Sequence, residues 1–250
     1  MKFTGERVTP ECRYTNRELF LWHLARYEYA KQYVQNFIRV LDVACGTGYG
    51  TYELAMLCRE AVGVDISSEA INFASSHYKA SNILWREYDC TKMTHILEDS
   101  SFDVVVSFET IEHLDREAQS AFVEQISRVL SKDGIAIIST PNVDTYGSWS
   151  HLYGKGSYHQ YEMNKEEFLA ILQARFNYVY LLGQAFSDTA KYRWRAMKMA
   201  SILNGIFNLD FRPIIRGYED YMDKSDFEFS IYNLERALMF LAICKYPRKK

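Results

Sequence analysis

With 250 residues and 48% hydrophobic content the chain can bury a full core, and an α/β sequence of this length is expected to form a single domain over 1–250. Neither nucleic acid nor a membrane is expected as a partner; the formal net charge of −3 gives no global attraction for either, but it leaves local basic patches open and by itself does not inform on partners. The five cysteines, Cys12, Cys45, Cys58, Cys90 and Cys244, are odd in number and scattered, with no CxxC pair, which argues against a disulfide framework or a zinc ribbon and for a reducing cytoplasm. Met1 to Tyr14 carries no apolar h-region, and the longest apolar stretch, Ala237 to Cys244, is far too short to span a bilayer.

Helical patterning with aromatic residues runs from about Asn16 to Val34 through Leu19, Phe20, Leu24, Tyr27 and Ala30, so residues 1–35 read as an N-terminal helical cap. Val40 to Ala44 reads as a buried strand, followed by the turn Cys45-Gly-Thr-Gly-Tyr-Gly50 and a helix, Tyr52 to Leu57. The alternation repeats. Ala61 to Asp65 is a strand, Ser68 to Tyr78 a helix with Ser68 as its N-cap, and Ile83 to Tyr88 and Phe102 to Phe108 are strands. A helix from Arg116 to Leu130, a turn at Lys132-Asp-Gly134 and a strand from Ile135 to Ser139 follow, closed by Pro141. Strands alternating with helices predict a parallel sheet covered on both faces. Beyond Pro141 come a loop rich in Tyr, Gly, Ser and His from Asn142 to Tyr161, a helix from Lys165 to Phe176 and a strand from Tyr178 to Leu182. Residues 184–231 interrupt the sheet before a last strand, Leu238 to Lys245, and are long enough to be a lid, a substrate platform or a contact between copies in a homo-oligomer.

Glycines 46, 48 and 50 let a backbone approach a ligand closely and leave N–H groups free at the start of a helix. A dinucleotide fingerprint would need glycine where Thr51 stands, which weakens a pyrophosphate reading. Asp65, ending the second strand, can accept two hydrogen bonds from a ribose diol; the same residue also fits as the cap of the next helix.

Five motifs stand in order at the expected strand ends: Val40-Leu-Asp-Val-Ala-Cys-Gly-Thr-Gly48, Val62-Gly-Val-Asp-Ile66, Glu87-Tyr-Asp-Cys90, Phe102-Asp-Val-Val-Val-Ser-Phe108 and Leu130-Ser-Lys-Asp-Gly134. This order resembles the class I S-adenosylmethionine-dependent methyltransferases, over roughly residues 36–183 and the final strand. The resemblance implies an α/β, Rossmann-like, seven-stranded, mostly parallel sheet with an antiparallel last strand, helices on both faces and an insert before that strand. It implies S-adenosylmethionine as cofactor, with Asp42, Cys45, Gly46 and Gly48 against its methionine end and Asp65 on the ribose hydroxyls. Ile66 would pack on the adenine, Asp89 would accept from its exocyclic amine, the Cys90 backbone would meet a ring nitrogen, and Ser107 would lie near the amino acid part.

The segment Glu109-Thr-Ile-Glu-His113 directly follows the apolar run ending at Phe108, so two carboxylates and an imidazole gather where a buried strand ends. If it turns helically, Glu109, Glu112 and His113 stand at i, i+3 and i+4 and share a face, a spacing that presents several ligands to one ion. Acids favouring a helix N-terminus beside a packing histidine would give the same pattern. Together with Tyr158-His-Gln-Tyr-Glu-Met-Asn-Lys-Glu-Glu-Phe168, the segment is similar to two metal-using subgroups of the family, the small-RNA 3′-terminal 2′-O-methyltransferases and the ubiquinone-pathway O-methyltransferases. The positions that match the metal site are Glu109, Glu112, His113 and His159, and such a ligand set suits magnesium or manganese. Thr4-Gly-Glu-Arg-Val-Thr-Pro10, Arg26-Tyr-Glu-Tyr-Ala30 and Phe108 to Leu114 resemble bacterial methyltransferases associated with surface glycans, which points to a sugar hydroxyl.

The expected activity is therefore methyl transfer from S-adenosylmethionine to a hydroxyl of a small molecule or sugar, with a divalent metal assisting deprotonation and His113 and Glu112 as catalytic residues. His113 cannot be a tight ligand and a free base through the same nitrogen, so those roles are alternatives. The competing readings are a metal-independent N- or O-methyltransferase with His113 as general base, a non-catalytic cofactor-binding protein, and a nicotinamide dehydrogenase, which Thr51 disfavours. Lys191, Arg193, Arg195 and Lys198 read as a solvated basic helix face in preference to a site for a phosphorylated substrate, His23, His77, His95 and His151 as surface or packing histidines, and Tyr146, Trp149, Tyr153, Tyr158 and Tyr161 as residues able either to stack on sugars or to pack a loop.

Overall fold

The computed structural model describes residues 17–93, 97–145, 158–193, 195, 196, 199, 223–232 and 234–248. In chain order these form α1 (Arg17–Ala30), β1 (Arg39–Val43), α2 (Tyr49–Ala55), β2 (Glu60–Asp65), α3 (Ser68–His77), β3 (Ile83–Glu87) and β4 (Phe102–Phe108). A 3-10 turn, Ile111–His113, leads to α4 (Arg116–Val129), β5 (Leu130–Pro141), α5 (Lys165–Gln173), β6 (Phe176–Phe186), β7 (Phe227–Ser230) and β8 (Met239–Pro247). Helix α3 is capped by Ser67, whose Oγ accepts from the Ala70 N–H at 3.3 Å, one residue before the position the sequence indicated.

The strands lie in one sheet in the order β3-β2-β1-β4-β5-β8-β6-β7. Strands β1 to β5 pair in parallel, β8 runs antiparallel to both β5 and β6, and β7 runs antiparallel to β6. The expected parallel sheet with an antiparallel last strand is present, and an eighth strand, β7, is added at the edge from within 184–231. Four residues, Phe-Glu-Phe-Ser, are too few to carry a period-2 signal, and what fixes them is pairing with the end of β6, which itself reaches Phe186.

Period-2 alternation splits the core between the two faces of the sheet. Leu41 and Val43 of β1 join Phe122, Val123 and Ile126 of α4 and Phe168 and Leu172 of α5 on one face. Val40, Val104 and Val106 join Tyr27 and Ala30 of α1 and Leu54 and Ala55 of α2 on the other. Helix α1 is also pinned at the far side of the sheet, where the Trp22 ring lies 5.1 Å from Phe186 and 4.7 Å from Phe227. Strand β1 has β2 on one side and β4 on the other, so the chain reverses its winding there. In open α/β sheets the crevice beyond the strand C-termini at such a reversal is where ligands bind.

Candidate active site

Strand β1 delivers the glycine turn to that crevice. Ala44 and Gly46 adopt left-handed φ values of 59° and 55°, and Gly48, the N-cap of α2, has φ 83°. A Cβ on Gly46 would meet nothing within 4 Å, whereas one on Gly48 would lie 2.6 Å from both Ala74 and the Trp85 ring, and one on Gly50 would lie 1.9 Å from the Tyr27 ring. Only the first of the three glycines leaves space for a ligand. The other two exist for packing: Gly48 for α3 and β3, Gly50 for α1.

Asp65 is 5% exposed at the end of β2, with Oδ2 accepting from the Gly46 N–H and Oδ1 from the Ser67 N–H, both at 2.9 Å. It therefore ties the glycine turn to the end of β2 and lines the cavity there. The cavity, about 320 Å³, is lined by Ala44, Cys45, Gly46, Asp65, Ile66, Asp89 and Cys90 from the chain at and after the ends of β1, β2 and β3, and by Phe108, Thr110, His113 and Leu114 from the end of β4 and the turn after it. Burial raises the Asp89 carboxyl, but hydrogen bonds from Thr91 and the Lys92 charge outweigh it and hold it below its usual range. Burial pushes the Cys90 thiol up to about 12, and the Cys45 thiol well above its usual value with the Asp42 and Asp65 charges adding to the effect, so neither is a nucleophile at neutral pH.

Asp42 lies behind this wall rather than in it. It is 1% exposed and accepts from Thr51 Oγ1 at 2.6 Å and from the Tyr27 hydroxyl at 3.2 Å, and burial pushes its carboxyl up to about 7. Thr51 thus stands where a dinucleotide site has glycine because its hydroxyl serves a buried acid. Ser107 is likewise buried, its hydroxyl 2.8 Å from the Val43 carbonyl and 3.1 Å from Thr110 Oγ1. These two residues shape the turn and the strand end beneath the cavity, and Gly48 sits under α3 and β3.

The acidic segment does not form an α-helical face. Glu109 takes a left-handed φ of 53°, breaking the chain direction directly after β4, and Ile111–His113 is a single 3-10 turn. The break sends Glu109 away from its neighbours: its Oε1 accepts from Ser139 Oγ at 2.8 Å and lies 3.6 Å from Arg26 Nη1. Glu112, His113 and His159 do come together, one ligand atom from each lying within 4.8 Å of the others. The loop that brings His159 is fastened to the turn by the Gln160 and Tyr161 N–H groups, both donating to the Glu112 carbonyl, at 2.9 and 3.2 Å.

Glu112 is fully buried. Its Oε2 accepts from Thr140 Oγ1 at 3.2 Å, while Oε1, 4.0 Å from His113 Nε2, has no hydrogen-bond partner among the described residues. Burial, then the Glu109 charge, push its carboxyl well above the usual range. His113 Nδ1 is 3.3 Å from the Tyr158 carbonyl and His159 Nδ1 is 2.5 Å from Glu162 Oε1. Both partners are acceptors, so in a neutral ring the proton sits on Nδ1 and Nε2 is the nitrogen a metal would take. Oxygen and imidazole donors around a buried, unsatisfied carboxylate oxygen fit a divalent cation.

A family model described as a methyltransferase domain matches residues 35–200. The chain belongs to that family. A Mycobacterium tuberculosis protein named as a probable S-adenosylmethionine-dependent methyltransferase is 29% identical over 177 residues, 69% of this chain and 60% of the relative. The ubiquinone biosynthesis O-methyltransferase of Pelagibacter ubique is 31% identical over 105 residues, 42% of each chain. In fold, the chain is similar to a SAM-dependent methyltransferase from Archaeoglobus fulgidus, with a TM-score of 0.61 at 21% identity over 94% of this chain and 97% of that one. The chain thus spans about three fifths of the length of the mycobacterial relative it matches.

Several residues of this chain carry weight that their sequence context hides. His23 and Tyr27, one helical turn apart on α1, line the cavity, and Arg26 is fully buried with Nη1 donating to Gln184 Oε1 at 2.9 Å. The i, i+4 spacing of His23 and Tyr27 was the available signal, but the face they share is set by where α1 docks. Thr110 and Glu162 are likewise drawn in by loop geometry. Cys12, His95, Tyr146, Trp149, His151, Tyr153, Lys198, the Thr4–Pro10 segment and most of the 184–231 insert lie outside the described residues. No helix among the described residues is long and apolar enough to cross a membrane.

Proposed function

We propose that this methyltransferase moves a methyl group from S-adenosylmethionine to a hydroxyl of a small molecule or sugar, with Glu112, His113 and His159 holding a divalent cation. The observation that carries the reading is one cavity lined both by Asp65 and the open side of Gly46 and by His113 of the three-ligand cluster. Asp65 and Asp89 offer acceptors to the ribose and adenine, Ile66 offers an apolar ledge that is 67% exposed, and the Cys90 backbone completes the adenine end. The cofactor supplies an electrophilic sulfonium methyl, and the cavity's task is to line up the acceptor oxygen with the methyl–sulfur axis. A cation, magnesium or manganese, would supply a Lewis acid that lowers the pKa of a coordinated hydroxyl. Glu109, turned onto Ser139 and Arg26, supports the turn and is not among the proposed ligands. The O-methyltransferase name of one relative and the sugar-linked sequence resemblance favour an oxygen acceptor, and four free cysteines among the described residues suit a reducing cytoplasm.

Calorimetry with S-adenosylhomocysteine tests the cofactor site, and a mass-spectrometric panel of nucleotide sugars and dihydroxybenzoates tests transfer by a methyl mass gain. Chelation should stop that gain and added magnesium or manganese restore it. Full activity after chelation selects the metal-independent alternative, with His113 as general base.

A further inference from the structure

His23 has no part in the reading above, yet it stands in the cavity wall on α1, one turn before Tyr27, with His113 lining the same cavity from the turn after β4. The residue is largely but not wholly covered, and among the described residues it makes no hydrogen bond or ion pair. Burial, reinforced by the Arg26 charge, holds its pKa well below the usual histidine value, so it is a neutral imidazole at neutral pH. The two histidines of the metal cluster are differently placed, because each has Nδ1 beside an oxygen acceptor and one ring nitrogen within the ligand cluster, where a cation would take it. With a cation held, neither has a nitrogen left to receive a proton.

We propose that His23 is the general base of the reaction, receiving the acceptor's hydroxyl proton while His113 stays a metal ligand. This rests on the methyl-transfer reading. As the acceptor oxygen bonds to the methyl carbon, the carbon–sulfur bond breaks and its electron pair stays on sulfur, which becomes a neutral thioether. The proton ends on an imidazole nitrogen of His23. The charged and titratable groups around it are Arg26 on its own helix and, around the cavity, Tyr27, Cys45, Tyr49, Asp65, Tyr88, Asp89, Cys90 and His113. Tyr27 donates to Asp42, Asp65 accepts from two backbone N–H groups and Asp89 from Thr91, so each is committed elsewhere. The proposal resolves the conflict between the two roles open to His113.

The test uses the full chain labelled with 13C and 15N at histidine, first with S-adenosylhomocysteine and then with Zn2+ as a diamagnetic imidazole ligand. The His23 resonances should titrate below the ordinary histidine range, move when S-adenosylhomocysteine binds, and go on titrating with Zn2+ present, while His113 and His159 stop. Loss of the His23 titration on adding Zn2+, indifference of His23 to S-adenosylhomocysteine, or Zn2+ leaving His113 titrating would each overturn the assignment. Absence of S-adenosylhomocysteine binding by calorimetry is a separate result that removes the methyl-transfer reading itself. With a panel acceptor, His23→Gln should keep S-adenosylhomocysteine affinity within about threefold while kcat falls by about 100-fold or more, the usual worth of a positioned base. Added imidazole should restore part of the rate in His23→Ala. Wild-type kcat in His23→Gln would sink the proposal.

Discussion

Asp65 illustrates how one carboxylate can serve folding and binding together. Its two oxygens hold the Gly46 and Ser67 N–H groups, so the turn is shaped before any ligand arrives, and the same carboxylate lines the cavity. Asp65→Ala should weaken S-adenosylhomocysteine binding by about 1.5–3 kcal/mol, the worth of hydrogen bonds to a charged group. Calorimetry showing unchanged affinity in a folded variant would remove Asp65 from the ribose. Asp42 makes the opposite case, a carboxyl raised from 3.8 to about 7 by burial. A group whose folded pKa lies above its unfolded one contributes stability that is full below the unfolded pKa and lost as pH rises through the folded one. Stability should therefore decline between pH 3.8 and about 7 on Asp42's account. Asp42→Asn lacks that decline, so urea melts near about pH 5 and about pH 8.5 should show the variant gaining on wild type at the higher value. A constant gap between the two would mean that Asp42 ionises freely in the folded state.

At the scale of elements, the approach of α1 to α2 decides the upper wall of the site. Tyr27 fits over Gly50 with no room for a methyl group and donates to Asp42, and Arg26 joins the helix to β6 through Gln184 and to the end of β4 through Glu109. Gly50→Ala should push α1 off the glycine turn and cost about 1–3 kcal/mol or more, the range for overpacked cores. Because Tyr27 and His23 move with that helix, S-adenosylhomocysteine affinity should fall with stability. A variant as stable as wild type would show that α1 docks more loosely than its contacts indicate. Legibility differs between neighbouring elements for a related reason. Strands β1, β2, β4 and β5 announce themselves by continuous apolar runs buried on both faces, while β7 and the 3-10 turn exist only because a partner strand and a left-handed Glu109 put them there.

In the whole molecule, β6 is antiparallel to β8, which is antiparallel to β5, so β6 ends on the same side of the sheet as β1 and β4. The segment between β6 and β7 therefore leaves and re-enters the sheet at the crevice end. Phe186 and Phe227, the residues that bracket it, pair across the two strands and pack on Trp22. Replacing residues 184–231 entirely would remove this packing, so the informative change is narrower. A short linker in place of residues 200–222 should leave S-adenosylhomocysteine affinity within about threefold and abolish methyl gain by the panel acceptors, since the cofactor residues lie on other strand ends. Weakened S-adenosylhomocysteine binding in a folded variant would show that this segment serves the cofactor rather than the acceptor.

The sequence by itself determined the order of strands and helices, the parallel sheet, the place of the crevice and the identity of Asp65, Gly46, Ile66, Asp89 and Cys90 as its lining. The strands, the crevice, Gly46 and Asp65 follow from local pattern, because burial on both faces, turn chemistry and strand ends are written within a few consecutive residues, while Ile66, Asp89 and Cys90 follow from the resemblance carried by the ordered motifs. Tertiary structure alone decided which polar residues meet. Glu109 stands three residues from Glu112, yet one backbone reversal gives it to Ser139 and Arg26, while His159 reaches Glu112 and His113 across about fifty residues through a loop held by two backbone hydrogen bonds. Sequence spacing predicts adjacency only while the backbone keeps one regular conformation, and at the end of β4 it does not. His23 is the same lesson from the other direction, since a histidine on an aromatic helix becomes part of the site only where α1 lies across the cavity.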